Sequence, residues 1–268
     1  MGELTTEELF IRGVRMRAPN AALLLDPTLD PRELLNIDAL EYPFSVPAIF
    51  HLRDLEFTSP VTFFVGENGS GKSTLLEGIA VEFGLNPEGG TKHARFSTRR
   101  SHADFFELLQ LQRRRVPPTD SYFLRAESFY NLATAIEDPS DYVAFDADAS
   151  GGERGFHEQS HGEAFLSLVL NRFFGNGLYI LDEPESALSP SRQLALMAAI
   201  NRLVGRSSQF LIATHSPILL AYPGAQILEF GDGPVQPVAY EDTEQYRVTK
   251  AFLEHPARML RELFRDDD

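Results

Sequence analysis

The chain has 268 residues, 43% hydrophobic and 24% charged, which is ordinary for a globular protein large enough to bury a full hydrophobic core. It contains no cysteine, so disulfides, cysteine-ligated zinc and thiol catalysis are excluded. Its net charge of −15 argues against a broad electrostatic attraction to nucleic acid or anionic lipid.

The first residues, from Met1 to Glu8, lack the basic start and apolar core of a secretion signal. The longest apolar runs, such as Ala164 to Leu170, are too short to cross a bilayer. We therefore expect a cytoplasmic protein without membrane insertion.

Residues 1–57 alternate proline-containing turns with short apolar runs and are predicted to form a small N-terminal β layer. The strand positions in the last of these runs are Phe50, Leu52, Leu55 and Phe57, with a shift of face between them. The rings of Tyr42, Phe44 and Phe50 are candidates to stack on an adenine, although core packing is the commoner role of aromatic rings.

A glycine-rich loop follows the apolar run Val61–Val65 and precedes an amphipathic helix predicted from Lys72 to Phe83. The loop fits G-x-x-x-x-G-K-[ST], in which successive N–H groups and the helix dipole bind a phosphate. We expect Lys72 to reach the β- and γ-phosphates and Ser73 to ligate Mg²⁺. The alternative is an ordinary glycine-rich turn, which the flanking strand and helix disfavour. The loop residues are Gly66, Glu67, Asn68, Gly69, Ser70, Gly71, Lys72, Ser73 and Thr74.

Residues 91–115 form a basic segment, with seven Lys or Arg against two Asp or Glu and a net charge of +5. Such a cluster is most often a solvated helix face; the sharper alternative is docking to a nucleic acid backbone or an acidic protein partner. A helix ending before Pro117 is predicted by the apolar residues Phe105, Leu108, Leu109 and Leu111.

Polar groups follow four predicted strands, the first being the strand before the phosphate loop. The other three are 122–126 followed by Glu127, 177–181 followed by Asp182 and Glu183, and 209–214 followed by His215. Because ligands of a parallel sheet bind at the carboxyl ends of its strands, we expect these groups to converge on one edge.

The chemistry of these groups suits a magnesium triphosphate. Asp182 is expected to support Mg²⁺, and Glu183 to orient or deprotonate an attacking water. His215 is expected to hydrogen-bond a γ-phosphate oxygen. The alternatives are that the two acids merely cap a strand and that the histidine is structural.

Ser160 and Glu163 open a predicted apolar helix from Ala164 to Phe174 as a capping box. The same helix start is an anion site, so Ser160 and the Gly162 N–H could address the γ-phosphate of a nucleotide held by another subunit.

Further helices are predicted at 128–136 and 190–204, the latter capped by Ser189, with a short helix after Ser216 and a helical tail. A strand is predicted at 225–230, and residues 137–159 form a long polar stretch. Apolar strands alternating with helices predict an α/β fold with a mostly parallel sheet covered on both faces.

Three segments together resemble the ABC-class ATPases, which include transporter subunits and the SMC-type and recombination-repair ATPases. They are residues 66–74, 178–189 and 213–217, and the resemblance extends over about residues 45 to 235. More narrowly, residues 123–129, 157–163 and 218–224 resemble the small stand-alone bacterial ATPases of the AAA_21-like group.

The resemblance implies a Walker A loop at 66–74, the Walker B aspartate at Asp182, the catalytic base at Glu183 and a switch histidine at His215. It also implies that Ser160–Glu163 is the signature motif, acting in trans across an ATP-sandwiched dimer, and that Glu127 replaces the usual Mg²⁺-contacting Gln. The expected catalytic residues are Lys72, Glu183 and His215; the nucleotide-binding residues are 66–74, Ser160, Gly162 and Glu163; the metal ligands are Ser73, Asp182 and Glu127.

The sequence departs from the family pattern at three positions. His161 replaces the first signature glycine, Glu163 the usual glutamine, and Ser189 a common aspartate after Walker B. The insert between the phosphate loop and the signature is too short for a long coiled coil.

We therefore expect one ABC-ATPase-like P-loop domain over residues 1–268. Its parts are an N-terminal β layer (1–57), a nucleotide-binding core (58–87 and 176–235), a helical signature lobe (88–175) and a helical tail (236–268).

The expected activity is hydrolysis of ATP to ADP and phosphate by a soluble dimer that couples MgATP to a conformational change. One alternative is a nucleotide-gated regulatory module with little turnover, and another is the ATPase subunit of a membrane transporter. A P-loop phosphotransferase is disfavoured because it needs an acceptor pocket.

Overall fold

A computed structural model of the chain describes residues 2–17, 42–86, 105–125, 166, 169–170 and 172–265. The strands are β1 (Ile11–Met16), β2 (Asp54–Glu56), β3 (Val61–Gly66), β4 (Leu109–Arg113), β5 (Asp120–Arg125), β6 (Gly177–Asp182), β7 (Gln209–Ala213), β8 (Gln226–Phe230) and β9 (Gln236–Pro237). The helices are α1 (Pro47–Phe50), α2 (Lys72–Phe83), α3 (Pro190–Val204), α4 (Pro217–Leu220), α5 (Glu244–Glu254) and α6 (Pro256–Leu263). Short 3₁₀ turns lie at Thr6–Glu8, Phe106–Leu108, Pro184–Ala187 and Tyr240–Asp242.

The larger sheet has the strand order β5-β6-β7-β3-β8-β9, and all its pairs are parallel except β8 with β9. Its register aligns Arg125 with Asp182, Asp182 with Ala213, and Ala213 with Phe64. The carboxyl ends of four strands therefore lie side by side, as the sequence predicted.

Both faces of this sheet are covered, which confirms the predicted α/β class. Along β6, Leu178 and Ile180 belong to a buried cluster with α2 and the smaller sheet, whereas Tyr179 and Leu181 belong to a second cluster with α3 and α4. A strand that is buried on both faces needs apolar residues at successive positions, which explains why β3, β6 and β7 are continuous apolar runs in the sequence.

The smaller sheet is antiparallel, with the order β2-β1-β4. The side chain of Gln209 in β7 joins the two sheets, because its amide accepts from the Ile11 N–H (2.9 Å) and donates to the Ile11 carbonyl (2.7 Å). This buried pair of hydrogen bonds fixes β1 against the core of the larger sheet.

The helix predicted around Phe105 to Leu111 is wrong, because the segment forms one 3₁₀ turn followed by β4. Leu109 and Leu111 are both buried while Gln110 is exposed, which is the two-residue period of a strand. Pairing with β1, far away in sequence, decides the structure here.

Two arginines in the described part of the basic segment contact other parts of the molecule, whereas Arg115 is exposed. Arg113 pairs with Glu82 (3.5 Å) and lies over the ring of Phe83. Arg114 donates to the Glu8 carbonyl (3.2 Å) and lies over the ring of Phe10. Residues 91–104 of the segment lie outside the described residues.

The run from Phe50 to Phe57 is only partly a strand. Residues 47–50 form helix α1, with Pro47 at its first position and Ile49 buried, and only Asp54–Glu56 forms β2. Proline favours the first position of a helix because its fixed φ suits the first turn. The strand prediction did not take Pro47 into account.

The division into lobes stays a prediction. Segment 88–175 contributes β4 to the smaller sheet and β5 to the larger one. Of the predicted helix at 164–174, residues 166, 169, 170 and 172 are helical, whereas residues 173 and 174, which are also described, are not. The stretches predicted at 128–136 and 137–159 lie outside the described residues.

Helices α2 and α3 have the predicted bounds, and α4 begins directly after Ser216 as predicted. Ser189 precedes α3 as expected, but its hydroxyl lies 3.2 Å from that of Ser191 and makes no capping hydrogen bond. Among the described residues, no helix combines the length and apolar character needed to traverse a bilayer.

Candidate functional site

The loop between β3 and α2 is shaped by glycines at positions where a side chain would not fit. Gly66 has φ +141°, and a Cβ there would collide with the carbonyl oxygen of Phe230 in β8. Gly71 has φ +99°, and a Cβ there would lie 3.0 Å from side-chain atoms of Val46 and Ile49 at the start of α1. The loop therefore packs between β8 and α1, and the first turn of α2 follows it directly.

The ammonium group of Lys72 is folded back onto this loop. It donates to the carbonyls of Gly66 (2.8 Å) and Glu67 (2.7 Å). Burial lowers the pKa of Lys72, an effect opposed by the negative charges of Glu183, Asp182 and Glu185. The loop thus holds a buried cation whose hydrogen bonds go to backbone carbonyls of the loop itself.

Ser73 and Asp182, the two described residues predicted to ligate a metal, are in direct contact. The Ser73 hydroxyl donates to Asp182 Oδ1 at 2.9 Å, although the two residues lie 109 positions apart. Burial at the end of β6 raises the pKa of Asp182, while the hydrogen bond from Ser73 and the charge of Arg125 lower it. A serine hydroxyl and a carboxylate are hard oxygen ligands of the kind that Mg²⁺ takes in proteins.

Glu183 and His215 face each other at the same edge. Glu183 Oε1 lies 3.8 Å from His215 Nε2, and the Glu183 side chain is 42% exposed. The Glu183 backbone is left-handed (φ 52°, ψ 52°), and its N–H donates to the Ala213 carbonyl at 3.0 Å. Such a conformation is uncommon for a non-glycine residue, and here the following proline turn and the neighbouring strand hold it.

Burial lowers the pKa of His215, and the nearby positive charge of Lys72 lowers it further, while Glu183 and Glu244 act in the opposite direction. The imidazole is therefore neutral near pH 7, with one ring nitrogen able to donate a hydrogen bond and the other to accept one.

Three buried polar atoms at this edge lack a hydrogen-bond partner among the described residues: Ser70 Oγ in the loop, Glu185 Oε2 and His215 Nε2. Leaving a buried polar group unpaired costs about 1–3 kcal/mol, so the Ser70 hydroxyl and the His215 imidazole each favour a further hydrogen-bond partner. Phosphate oxygens accept from a hydroxyl and from an imidazole N–H. The residues present at the site thus fit a polyphosphate with its Mg²⁺.

The sequence reasoning missed Arg125 and Glu185. Arg125 ends β5, donates to Glu77 at 2.9 Å and lies 3.8 Å from Asp182 Oδ2. Glu185 accepts from the backbone N–H of His215, and burial raises its pKa. Arg125 could have been found by the rule used for the other residues, because it is a polar residue at the end of an apolar strand. Glu185 could not, because only the structure shows that it contacts the end of the neighbouring strand.

The three aromatic candidates for adenine stacking are separated by the structure. Phe44 packs edge-on against Phe105, and Phe50 packs edge-on against His51. Tyr42 is 51% exposed, and its hydroxyl is hydrogen-bonded to that of Thr74 at the start of α2. Only Tyr42 among the three combines an exposed ring with contact to the phosphate loop region.

The remaining predicted site residues lie outside the described residues. These are Glu127, Ser160, His161, Gly162 and Glu163.

Comparisons with known proteins bear on this arrangement. One family model, described as an AAA domain, matches residues 48–108, and a second, described as "AAA domain, putative AbiEii toxin, Type IV TA system", matches residues 98–221. No match was found among curated proteins.

Solved structures provide further similarities. A nucleotide-free ATP-binding cassette from an ABC transporter is 17% identical with a TM-score of 0.44, over 76% of this chain and 88% of that one. The SMC head domain from Thermotoga maritima is 16% identical with a TM-score of 0.40, over 69% of this chain and 93% of that one. An inward-facing metal-chelate type ABC transporter is 15% identical with a TM-score of 0.43, over 74% of this chain and 80% of that one.

The parallel sheet and the glycine-rich loop at the start of α2 define a P-loop nucleotide-binding fold. Together with the two adjoining family matches, this fold supports a P-loop ATPase of the AAA-domain class that those models describe.

Proposed function

We propose that the chain hydrolyses ATP to ADP and phosphate, and that two copies dimerise around two bound nucleotides and couple hydrolysis to a conformational change. One observation carries this proposal: Lys72, the Ser73–Asp182 pair and the Glu183–His215 pair lie along one edge of the sheet. A cation, hard oxygen ligands, a carboxylate and a neutral histidine can each serve phosphoryl transfer to water, by stabilising charge, holding the metal, accepting a proton and donating a hydrogen bond.

Each residue has a chemical task in this proposal. Lys72 exchanges its two carbonyl partners for phosphate oxygens. Ser73 and Asp182 would hold Mg²⁺, which neutralises charge on the phosphate oxygens when bound. Glu183 accepts a proton from the attacking water or orients it, and His215 donates through Nε2 to a γ-phosphate oxygen.

The trans contacts of the dimer belong to the proposal as well. Ser160, Gly162 and Glu163 of one copy would address the γ-phosphate held by the other, and Glu127 would assist the metal. The compartment is proposed to be the cytoplasm. A nucleic acid or acidic protein partner would use residues 91–104 and the exposed Arg115, since Arg113 and Arg114 are engaged within the molecule.

Glu183→Gln tests the proposal. Without the carboxylate, hydrolysis should fall by at least about a hundredfold, the usual contribution of a general base, while ATP binding persists. The variant should accumulate as an ATP-bound dimer, measured by phosphate release and by sedimentation with and without MgATP. Glu229→Gln, at an exposed position of β8, is the matched control and should behave like the unmodified chain. Unchanged turnover and oligomeric state in Glu183→Gln would show that the mechanism is wrong.

A nucleotide-gated module with negligible turnover is the second candidate. It is favoured by His161 and Glu163, which depart from the signature pattern. Phosphate released per bound ATP in the unmodified protein separates the two functions, because a module of this kind binds ATP without releasing phosphate on the time scale of minutes.

A further inference from the structure

His215 lies where the hydrogen bonding of the parallel sheet ends. The Thr214 N–H, just after β7, still donates to the Phe64 carbonyl in β3 at 3.2 Å. The next N–H along the chain, that of His215, donates to the Glu185 carboxylate instead. A side chain therefore takes over from the sheet at the residue whose imidazole is proposed to reach the γ-phosphate.

Two hydrogen bonds run in opposite directions between the segment that carries Glu183 and the segment that carries His215. The Glu183 N–H donates to the Ala213 carbonyl at 3.0 Å. The His215 N–H donates back to the carboxylate of Glu185. Because the two bonds cross between the same two segments, they fix their relative position. The Glu183 carboxylate and the His215 imidazole face each other at 3.8 Å as a result.

A second connection holds Ser216, the residue after His215. The Ser216 hydroxyl donates to Gln193 Oε1 in the first turn of α3 (2.6 Å). The Gln193 amide in turn donates to the Leu188 carbonyl at 3.1 Å. The Ser216 oxygen also accepts from two N–H groups at the start of α4, so it links α3 to α4. Residues 185–193 thus hold residues 215 and 216 at two points.

The position of His215 Nε2 depends on this support. Nε2 is buried and makes no hydrogen bond among the described residues, and its carboxylate neighbour is 3.8 Å away. A shift of the His215 backbone would therefore carry the ring nitrogen with it. Misplacing a group by about 1 Å relative to the reacting atoms can cost about a hundredfold in rate.

We propose that Glu185 is a positioning residue, whose carboxylate holds the His215 backbone so that Nε2 stays aimed at the γ-phosphate beside Glu183. Gln193 supports the same position through Ser216. This inference rests on the proposed function, because the contact has a catalytic use only if His215 acts on a phosphate. The role needs an oxygen that accepts a hydrogen bond and does not need a charge.

Glu185→Ala and Glu185→Gln separate the acceptor from the charge. Both variants remove the negative charge that acts on Lys72, but only glutamine keeps an oxygen for the His215 N–H. Glu185 Oε2 makes no hydrogen bond among the described residues, so an amide nitrogen in its place breaks no described contact.

We expect kcat for phosphate release to fall about ten- to hundredfold in Glu185→Ala, with the KM for ATP changed by less than about threefold. In Glu185→Gln, kcat should stay within about threefold of the unmodified chain. Glu229→Ala, at an exposed position of β8, is the control and should leave both constants unchanged. Equal losses in the alanine and glutamine variants, or no loss in either, would refute the proposal.

The same substitution in a His215→Ala background gives a reading that a general structural defect would not give. Without the imidazole, holding its backbone has no catalytic use, so Glu185→Ala should then lower kcat by less than about twofold. Gln193→Ala should show the same dependence on His215 with a smaller loss, and it serves as the second variant if Glu185→Ala does not fold. A full loss in both backgrounds would show that Glu185 acts on another group.

Amide hydrogen exchange, followed by NMR in the nucleotide-free protein, tests the contact without turnover. The His215 N–H should exchange at least about tenfold faster in Glu185→Ala than in the unmodified chain, while the amides of β7 keep their protection. Glu185→Gln should retain the slow exchange. An unchanged His215 amide in Glu185→Ala would refute the support of the backbone.

The outcomes separate this inference from the proposed function. If His215→Ala loses activity while Glu185→Ala keeps it, only the positioning role is wrong. If the unmodified chain binds ATP and releases no phosphate, the proposed hydrolysis is wrong and the catalytic use of Glu185 fails with it, even where hydrogen exchange shows the contact.

Discussion

At the scale of single residues, Lys72 shows how the phosphate loop holds a buried cation in place through its own backbone. Its ammonium is buried, its pKa is lowered by that burial, and its hydrogen bonds go to the loop's own carbonyls. Burial of a charge opposes folding, so a contribution to stability does not by itself explain a lysine at this position.

Lys72→Met should therefore abolish the thermal stabilisation by MgATP without lowering the melting temperature of the apo protein. Saturating ATP at about a hundred times its Kd adds about 2.7 kcal/mol to the unmodified chain. Differential scanning fluorimetry with and without MgATP measures both effects. Lys250→Met, at an exposed lysine of α5, is the control and should keep the shift. A lower apo melting temperature for Lys72→Met would mean that the buried cation holds the loop together.

Tyr122 in β5 provides a pH prediction away from the site. Burial raises the pKa of Tyr122 from 10.0 to about 12. The folded state thus disfavours the phenolate. The contribution of neutral Tyr122 to the free energy of unfolding is fully present below pH 10 and is lost as the pH rises towards 12. The loss amounts to about 2 kcal/mol at pH 12.

Urea unfolding at pH 8 and near pH 12 measures this loss. Tyr122→Phe should reduce the alkaline loss by about 2 kcal/mol relative to the unmodified chain, because phenylalanine does not titrate. Tyr179, whose pKa is also raised by burial, is present in both proteins and cancels in the comparison. Parallel pH profiles for the two proteins would contradict the assignment.

Residues such as Asp182 and His215 were predictable because each follows an apolar run, and a parallel sheet brings strand ends together. The 2.9 Å contact between Ser73 and Asp182 follows from that rule and from the register of the sheet. Glu185 could not be foreseen, because its role depends on a backbone N–H contributed by another strand end. Sequence spacing cannot show which side chain reaches that donor.

At the scale of elements, strand β4 shows where periodicity fails. Leu109 and Leu111 suit a strand, whereas Phe105, Leu108 and Leu111 suit a helix, so the pattern alone does not discriminate. The pairing partner β1 lies more than ninety residues earlier in the chain, and its register with β4 resolves the ambiguity. Helix α1 was missed for a related reason, since four residues are too few to display a helical period.

The packing of α2 on β4 gives the prediction at this scale. A Cβ on Gly78 would lie 2.8 Å from Leu109 and 2.9 Å from Phe105, both of which are buried. Gly78→Ala gains up to about 1 kcal/mol of helix propensity but loses about 1–3 kcal/mol through overpacking. We expect a net loss of about 1 kcal/mol, and a larger one for Gly78→Val.

Chemical unfolding of Gly78→Ala measures the loss. Gly205→Ala is the matched control, because Gly205 follows α3 with ordinary helical angles and its Cβ would meet only carbonyls at 3.6 Å. The control should be neutral or slightly stabilising. A Gly78→Ala protein as stable as the control would mean that Leu109 and Phe105 move aside freely.

At the scale of the whole molecule, the proposed ATP-dependent closure makes the rate of hydrolysis depend on protein concentration. If each catalytic edge needs a second copy, free copies must find each other before phosphate is released. The rate of phosphate release per chain should then follow the fraction of chains that are dimeric.

Phosphate release per chain should accordingly rise with protein concentration at saturating MgATP and level off once sedimentation at the same concentrations shows the chain to be dimeric. Glu183→Gln should dimerise over the same range with little phosphate release, because it lacks the proposed base but keeps the contacts of the closed state. A specific activity that stays constant while the chain changes from monomer to dimer would show that hydrolysis does not need a second copy.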